Sequence, residues 1–346
     1  MTILSRRNLL FGGAAVGAGV VLTGCTSNEP QNTAQVKTDA SGDVNAAPGQ
    51  KVIIGFSAPA ADHGWIAAIT NNAKAQAAEY SDVELRSVEA GTDAAAQRAA
   101  IATLVAQKPT VIVMLPYDGK ELDAAGLQAM QAGIPVVNLD RAFPSQGAYR
   151  LQLKGDNYGM GLAAGAYIGD RLKAKGVTNP VIGEIPGIDS LELTQERSKG
   201  FKDALTRYGF KIANRRPAEF TADSGQAAAT ALLQALPKMD ALWNHDDDQG
   251  IGVLAAIKQT NRSEFFMVGG AGSKAAIDAI VAGNSVLEAT VTYSPSMASS
   301  AISLARLIGQ GKGMSDLVEL AVPKEITLAS ETITKDNAAK YAKTGF

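Results

Sequence analysis

From Lys51 onward, short β-branched or apolar runs alternate with alanine-rich stretches of helical period. Residues 52–56, 83–88, 111–115 and 135–139 read as strands, separated by helix-like segments near 65–79, 93–107 and 119–131. The rhythm restarts at 181–185 and continues through 211–220, 241–243, 265–268 and 285–291. Strand, helix, strand at this spacing, with strands apolar along their whole length, predicts parallel sheets covered by helices on both faces. The pattern therefore predicts an α/β fold of two doubly wound, Rossmann-like lobes. In such sheets the chemistry-bearing groups sit in loops beyond the carboxyl ends of the strands.

The first fifty residues follow another pattern. Arg6-Arg7 precede the apolar run 9–22, which ends in Leu22-Thr23-Gly24-Cys25. A charged start, a short apolar core and small residues before a cut describe an export signal, and the run is shorter than the roughly 20 residues a spanning helix needs. The Leu-Thr-Gly-Cys tetrad resembles a bacterial lipobox. That resemblance implies a signal peptide over 1–24, lipidation of Cys25, and an extracytoplasmic protein anchored to a bacterial membrane, in the periplasm or on the outer face of the cell. Ser5-Arg6-Arg7-Asn8-Leu9-Leu10 also resembles a twin-arginine export motif, with the general export route as the alternative. Residues 25–50 are small and polar and predict a flexible tether.

Composition narrows the function. Cys25 is the only cysteine, so the domain beyond it has neither a disulfide nor a thiol for catalysis or metal binding. With 346 residues, 46% hydrophobic and 19% charged, the chain can bury a sheet in each of two lobes. The net charge of −2, without a basic block past the signal, argues against nucleic acid as a partner. No P-loop, nucleophile elbow or Gly-x-Gly-x-x-Gly follows the first strand, where Ser57-Ala58-Pro59-Ala60 stands instead.

Several strand-end loops carry polar or aromatic residues: Phe56-Ser57 through His63-Gly64-Trp65, Asn138-Leu139-Asp140-Arg141, Gln195 through Phe201, His245-Asp246-Asp247-Asp248-Gln249, and Thr292-Tyr293-Ser294-Pro295. In order and spacing these resemble the type I periplasmic sugar-binding proteins of ABC importers, in the ribose-binding and galactofuranose-binding branch. The resemblance implies three crossings between lobes, near Gln152, Tyr293 and Val322. It thus implies a first lobe of 51–151 plus 294–322 and a second of 152–293 plus 323–346. It also implies a monomer without cofactor, which captures a small carbohydrate or sugar alcohol and hands it to a membrane permease driven by an ATPase.

A sugar presents apolar C–H faces ringed by hydroxyls, so its site needs aromatic plates and planar polar groups. Trp65, past the first strand, and Phe220, at the end of a second-lobe strand, fall at the family's aromatic positions. Asp140 and Arg141 follow a buried strand, where a charged pair is costly unless paired or used. With Arg197 and Asp246 they would bind the rim, and His63 is a further hydroxyl partner. Compared with the ribose-type pattern, Asp246 replaces an amide, Ala271 replaces an aspartate and Tyr293 replaces a glutamine. These departures point away from ribose itself, toward another pentose, a hexose or an acyclic polyol.

Residues 245–248 place a histidine beside three carboxylates, but consecutive residues point in different directions, and helix capping near Gln249 is the plainer account. A metal is not expected. Two alternatives stand beside transport: a sensory component that docks on a membrane receptor, and, less favoured, a sugar-modifying enzyme using Asp140 and Asp246 as acid and base. A DNA-binding repressor shares the fold, but no helix-turn-helix headpiece precedes the domain.

Overall fold

The computed structural model describes residue 45 and residues 47–88, 90–314, 317, 319–342 and 345–346. The expected signal peptide, Cys25 and most of the expected tether lie outside the described residues.

The first lobe opens with β1 (Val52–Ser57), α1 (Gly64–Ala78), β2 (Val83–Ser87), α2 (Ala94–Ala106), β3 (Val111–Met114), α3 (Gly119–Gln131), β4 (Val136–Leu139) and β5 (Leu151–Gly155). Strands β3 and β4 are buried at every position, as expected of strands covered on both faces. Helix α1 turns Trp65, Ile66, Ile69, Ala73 and Ala77 inward, a stripe of helical period. Asp93 and Asp118 cap α2 and α3 by accepting backbone N–H groups.

The second lobe runs through α4 (Asn157–Ala174), β6 (Ile182–Ile185), α5 (Glu192–Arg207), β7 (Ile212–Arg215), α6 (Ala222–Ala235), β8 (Ala241–Asn244), α7 (Asp247–Gln259), β9 (Phe266–Ala271), α8 (Lys274–Ala282) and β10 (Leu287–Thr292). Helices α4 and α5 approach so closely that a Cβ on Gly161 would lie 2.0 Å from the Arg197 carbonyl oxygen. Only glycine fits there, and the close approach sets where Arg197 projects. The chain then returns to the first lobe as α9 (Met297–Gly309), packed on α1, and β11 (Glu325–Leu328), before β12 (Thr332–Thr334) and α10 (Ala338–Tyr341) end it in the second.

Two six-stranded sheets result, ordered β11-β5-β4-β3-β1-β2 and β12-β10-β9-β8-β6-β7. All pairings are parallel except β12 against β10. The strand order reverses at β1/β3 and at β6/β8, the switch points where doubly wound sheets open a crevice.

Two expected crossings move. The first follows Gly155 rather than Gln152, because Leu151, Gln152 and Leu153, all buried, pair along β4 and carry β5 on until Asp156 caps α4. The third follows Leu328 rather than Val322, because β11 still pairs with β5, and Glu331 then exchanges hydrogen bonds with Thr292. The second lies between Thr292 and α9, at Tyr293.

One buried ion pair ties the start of the described chain to this frame. Arg306, 2% exposed, donates from Nε and Nη2 to Asp82 at 2.7 and 2.6 Å, and from Nη2 to the Ala47 carbonyl at 2.9 Å. Arg306→Ala would take away the only charge that pairs with the buried Asp82 carboxylate among the described residues, leaving it the Gly49 N–H and Gln310 amide donors, and is expected to cost about 3 kcal/mol, read as a lower urea midpoint; Arg306→Lys, lacking the planar fork, should recover only part.

Candidate ligand site between the lobes

The eight side chains singled out in the sequence line one cavity, joined by Leu193 and Ala271.

From the first lobe come His63, Trp65, Asp140 and Arg141. Trp65 is 5% exposed, and its indole N–H donates to the Tyr293 carbonyl at 2.9 Å, which fixes the ring in place. Asp140 has φ +66°, and the Arg141 N–H donates across it to the Leu139 carbonyl at 3.0 Å, closing a tight γ-turn. Asn138 braces the turn by donating to the Arg141 carbonyl and accepting from the Phe143 N–H. The turn aims both charged side chains at the cavity. Arg141 donates one Nη1 bond to the Tyr117 carbonyl, while its buried Nε, without a hydrogen-bond partner among the described residues, stands 3.9 Å from an Asp140 oxygen. Burial opposes the charged form of His63, but its 2.5 Å contact to Asp62 and the charges of Asp246, Asp62 and Asp248 raise its pKa.

The crossing residue Tyr293 donates its hydroxyl to Asp140 Oδ1 at 2.5 Å. Burial, together with the Asp140 charge, pushes this phenol up, so it stays protonated and remains a donor. Its ring meets the Trp65 ring at 5.8 Å and supports the Arg197 guanidinium 4.4 Å above its face. Arg197 is 4% exposed and donates to Asn157 Oδ1 at 2.9 Å and to the His245 carbonyl at 3.3 Å. Leu193, one turn earlier on α5, shares its face; the i, i+4 spacing before Arg197 was the sequence signal for it.

Phe220 departs from expectation. Strand β7 ends at Arg215, and Pro217, which has no N–H to give a ladder, stands between it and Phe220. Phe220 instead occupies the loop before α6 with φ +63°, its N–H donating to Gln249 Oε1 at 3.1 Å. Its ring sits where a Cβ on Gly187 would lie 1.9 Å away, packs on Leu191 and Leu193, and faces His63 across the cavity at 6.1 Å.

The four residues of the His-Asp-Asp-Asp run turn to four different partners. His245 pairs through Nε2 with Glu184 at 3.0 Å, and burial drives its imidazole down to about 4, leaving it neutral at pH 7. Asp246 caps α7, which begins at Asp247 rather than near Gln249, and accepts from the Asp248 and Gln249 N–H groups at 2.9 and 3.0 Å. Asp247 holds the turn 270–273, accepting from the Gly270, Gly272 and Ser273 N–H groups. Asp248 reaches to the first lobe and accepts from the Trp65 N–H at 2.8 Å. The carboxylates thus receive helix and turn donors, and among the described residues no three His, Cys, Asp or Glu side chains converge on one point.

Five non-glycine residues among those described have positive φ, and three of them, Asp140, Phe220 and Ala271, line this cavity. Strained backbone gathers where function holds it in place.

Comparison with known proteins gives the same picture. The periplasmic binding protein domain family matches residues 54–313. A D-ribose/D-allose-binding protein of Pseudomonas aeruginosa is 28% identical over 257 residues, covering 71% of this chain and 75% of its own. The ribose import binding protein of Bacillus subtilis is 26% identical over 277 residues, covering 80% and 85%. An ABC transporter solute-binding protein of Mycobacterium smegmatis, solved with bound glycerol, superposes with a TM-score of 0.75 at 26% identity, over 84% of this chain and 97% of its own. With the matched family spanning most of its length and both lobes built as type I sheets, the chain belongs to the periplasmic binding protein family.

Proposed function

We propose that this protein is the substrate-binding lipoprotein of an ABC importer, capturing one monosaccharide or sugar alcohol between its lobes and delivering it to a membrane permease. The observation that carries the reading is the lining itself, where aromatic rings from both lobes and two arginine–carboxylate sets converge on one cavity between the lobes. Trp65 and Phe220 cover the apolar faces of the ligand. Asp140, Arg141, Arg197 and Asp246 bind its rim hydroxyls, with His63 and Tyr293 as further partners. Carboxylates accept from hydroxyls and guanidinium forks donate to them, so a neutral polyol satisfies both signs. Relatives that bind ribose or allose, and a structural neighbour holding glycerol, favour this ligand class.

Because the walls come from two lobes, ligand contacts are complete only when the lobes meet, and binding shifts the population toward the closed form. Cys25 would carry the lipid that keeps the protein on the extracytoplasmic face of the membrane, after export by the twin-arginine or general route, and the paired ATPase would supply the energy. The protein itself turns nothing over. A thermal-shift screen against pentoses, hexoses, polyols and furanosides, with amino acids as controls, tests the reading. A ligand at about 100 times its dissociation constant stabilises by about 2.7 kcal/mol, a plain upward shift. A panel without any shift, on folded protein, would remove the carbohydrate reading.

Binding should also depend on pH. Burial raises the Asp246 carboxyl to about 6, with the Asp248 charge adding to the rise and His63 opposing it. Ionisation turns both oxygens into charge-assisted acceptors for ligand hydroxyls, whereas the protonated form gives up one of them to an O–H donor, so affinity should rise with pH up to about 6 and level off above, by at most about tenfold per pH unit. For the unliganded fold the sign is opposite. The folded state binds the extra proton between the ordinary aspartate value of 3.8 and about 6, so this group lowers stability as pH rises through that window. Calorimetric affinities across that range check the first expectation, and an Asp246→Asn variant should flatten the profile.

A further inference from the structure

Helix α1 starts at the rim of the cavity without a cap of its own. His63, at its N-cap position, gives no side-chain hydrogen bond to the helix, and no acidic residue lies in its first turn. The acceptor comes from the opposite lobe, where Asp248 Oδ2 takes the Trp65 N–H at 2.8 Å from 183 residues away. Asp248 is available because its own helix, α7, is already capped by Asp246. The carboxylate fits against Gly64, where a Cβ would lie 2.8 Å from Asp248 Oδ1. Asp248 is not one of the residues lining the cavity.

An uncapped helix end is an open position for a negative group, and a carboxylate there gains both a hydrogen bond and the helix dipole. In this fold the gain exists only while the lobes are together. We propose that Asp248 is a positioning residue for closure: it caps α1 across the cleft in the closed form alone, and so sets the open–closed balance and the apparent affinity without touching the ligand. The inference rests on the reading of the protein as one that closes on a ligand, and it makes Gly64 the second member of the latch.

The test uses the full chain and three variants, Asp248→Ala, Asp248→Asn and Gly64→Ala, with the double variant Asp248→Ala/Gly64→Ala. Small-angle scattering without ligand reads the lobe separation, and titration with the sugar or polyol that shifts the melting temperature reads affinity. Asp248→Ala should raise the radius of gyration of the unliganded protein and weaken affinity by about threefold to thirtyfold, the range that loss of a helix cap spans. Asp248→Asn, which keeps an acceptor oxygen, should recover most of both. Gly64→Ala should open the protein in the same way, because its methyl displaces the carboxylate, and should add little once Asp248 is alanine. Unchanged scattering and affinity in Asp248→Ala, or full additivity of the two substitutions, would overturn the latch. If the wild type binds no sugar or polyol, the transport reading fails, and the scattering comparison alone still decides the latch.

Discussion

Arg141→Ala is expected to weaken ligand binding by roughly 2–5 kcal/mol, about 30-fold to 5,000-fold, with little change in the fold. The side chain is nearly enclosed, yet it holds only the Tyr117 carbonyl through Nη1 and stands beside, rather than on, the Asp140 carboxylate. Its buried Nε has no acceptor among the described residues, a costly state unless a ligand oxygen takes that N–H. Removing the guanidinium should therefore cost the complex far more than it costs the unliganded protein. The comparison to make is calorimetric affinity against urea midpoint, wild type beside variant. Arg141→Lys keeps the charge but loses the fork, and should fall between the two. An unchanged affinity in Arg141→Ala would remove this residue from the site.

The second large effect falls on stability. Asp247 is 6% exposed, and its two oxygens accept from the Gly270, Gly272 and Ser273 N–H groups at 2.8–3.0 Å and from the Thr290 hydroxyl. Burial pushes this carboxyl up to about 7, while the same donors favour the charged form and hold it in place. Asp247→Ala would leave three backbone donors and a hydroxyl facing a dry hole. Each unmade bond costs about 1–3 kcal/mol, and allowing for relaxation the variant should lose roughly 3–5 kcal/mol, a fall in melting temperature of about 6–20 °C by differential scanning calorimetry. Ala271, held at φ +97° inside this turn, lines the cavity, so binding should weaken as well. A melting temperature within a degree of wild type would show that the turn stands without its carboxylate.

Much of this was legible before any coordinates. Parallel strands covered on both faces announce themselves as unbroken apolar runs, and 111–115 and 135–139 carried that signal because both faces of β3 and β4 are buried. The strand-end positions of His63, Trp65, Asp140 and Asp246 followed from the rule that such sheets present their polar groups at carboxyl ends. What stayed hidden was set by contacts rather than by period. The crossings shifted because Leu151 to Gly155 and Glu325 to Leu328 hold each other as neighbouring strands, a pairing of segments 173 residues apart at each matched position. Phe220 reads as a strand end because its side chain is apolar, whereas Pro217 and a left-handed backbone set it in a loop. Within the aspartate run, the separate tasks of Asp246, Asp247 and Asp248 depend on which donors the fold brings near, and three identical letters cannot carry that.

The cavity between the lobes is expected to take one small polyhydroxylated molecule and return it unchanged. Isothermal titration of the purified protein with the sugars and polyols of the screen, followed by chemical analysis of the ligand recovered, tests it most directly. Saturation at one molecule per chain is expected for a member of that class, with the ligand intact afterwards. Absence of any saturable heat across the class from folded protein, or recovery of a chemically altered ligand, would contradict it.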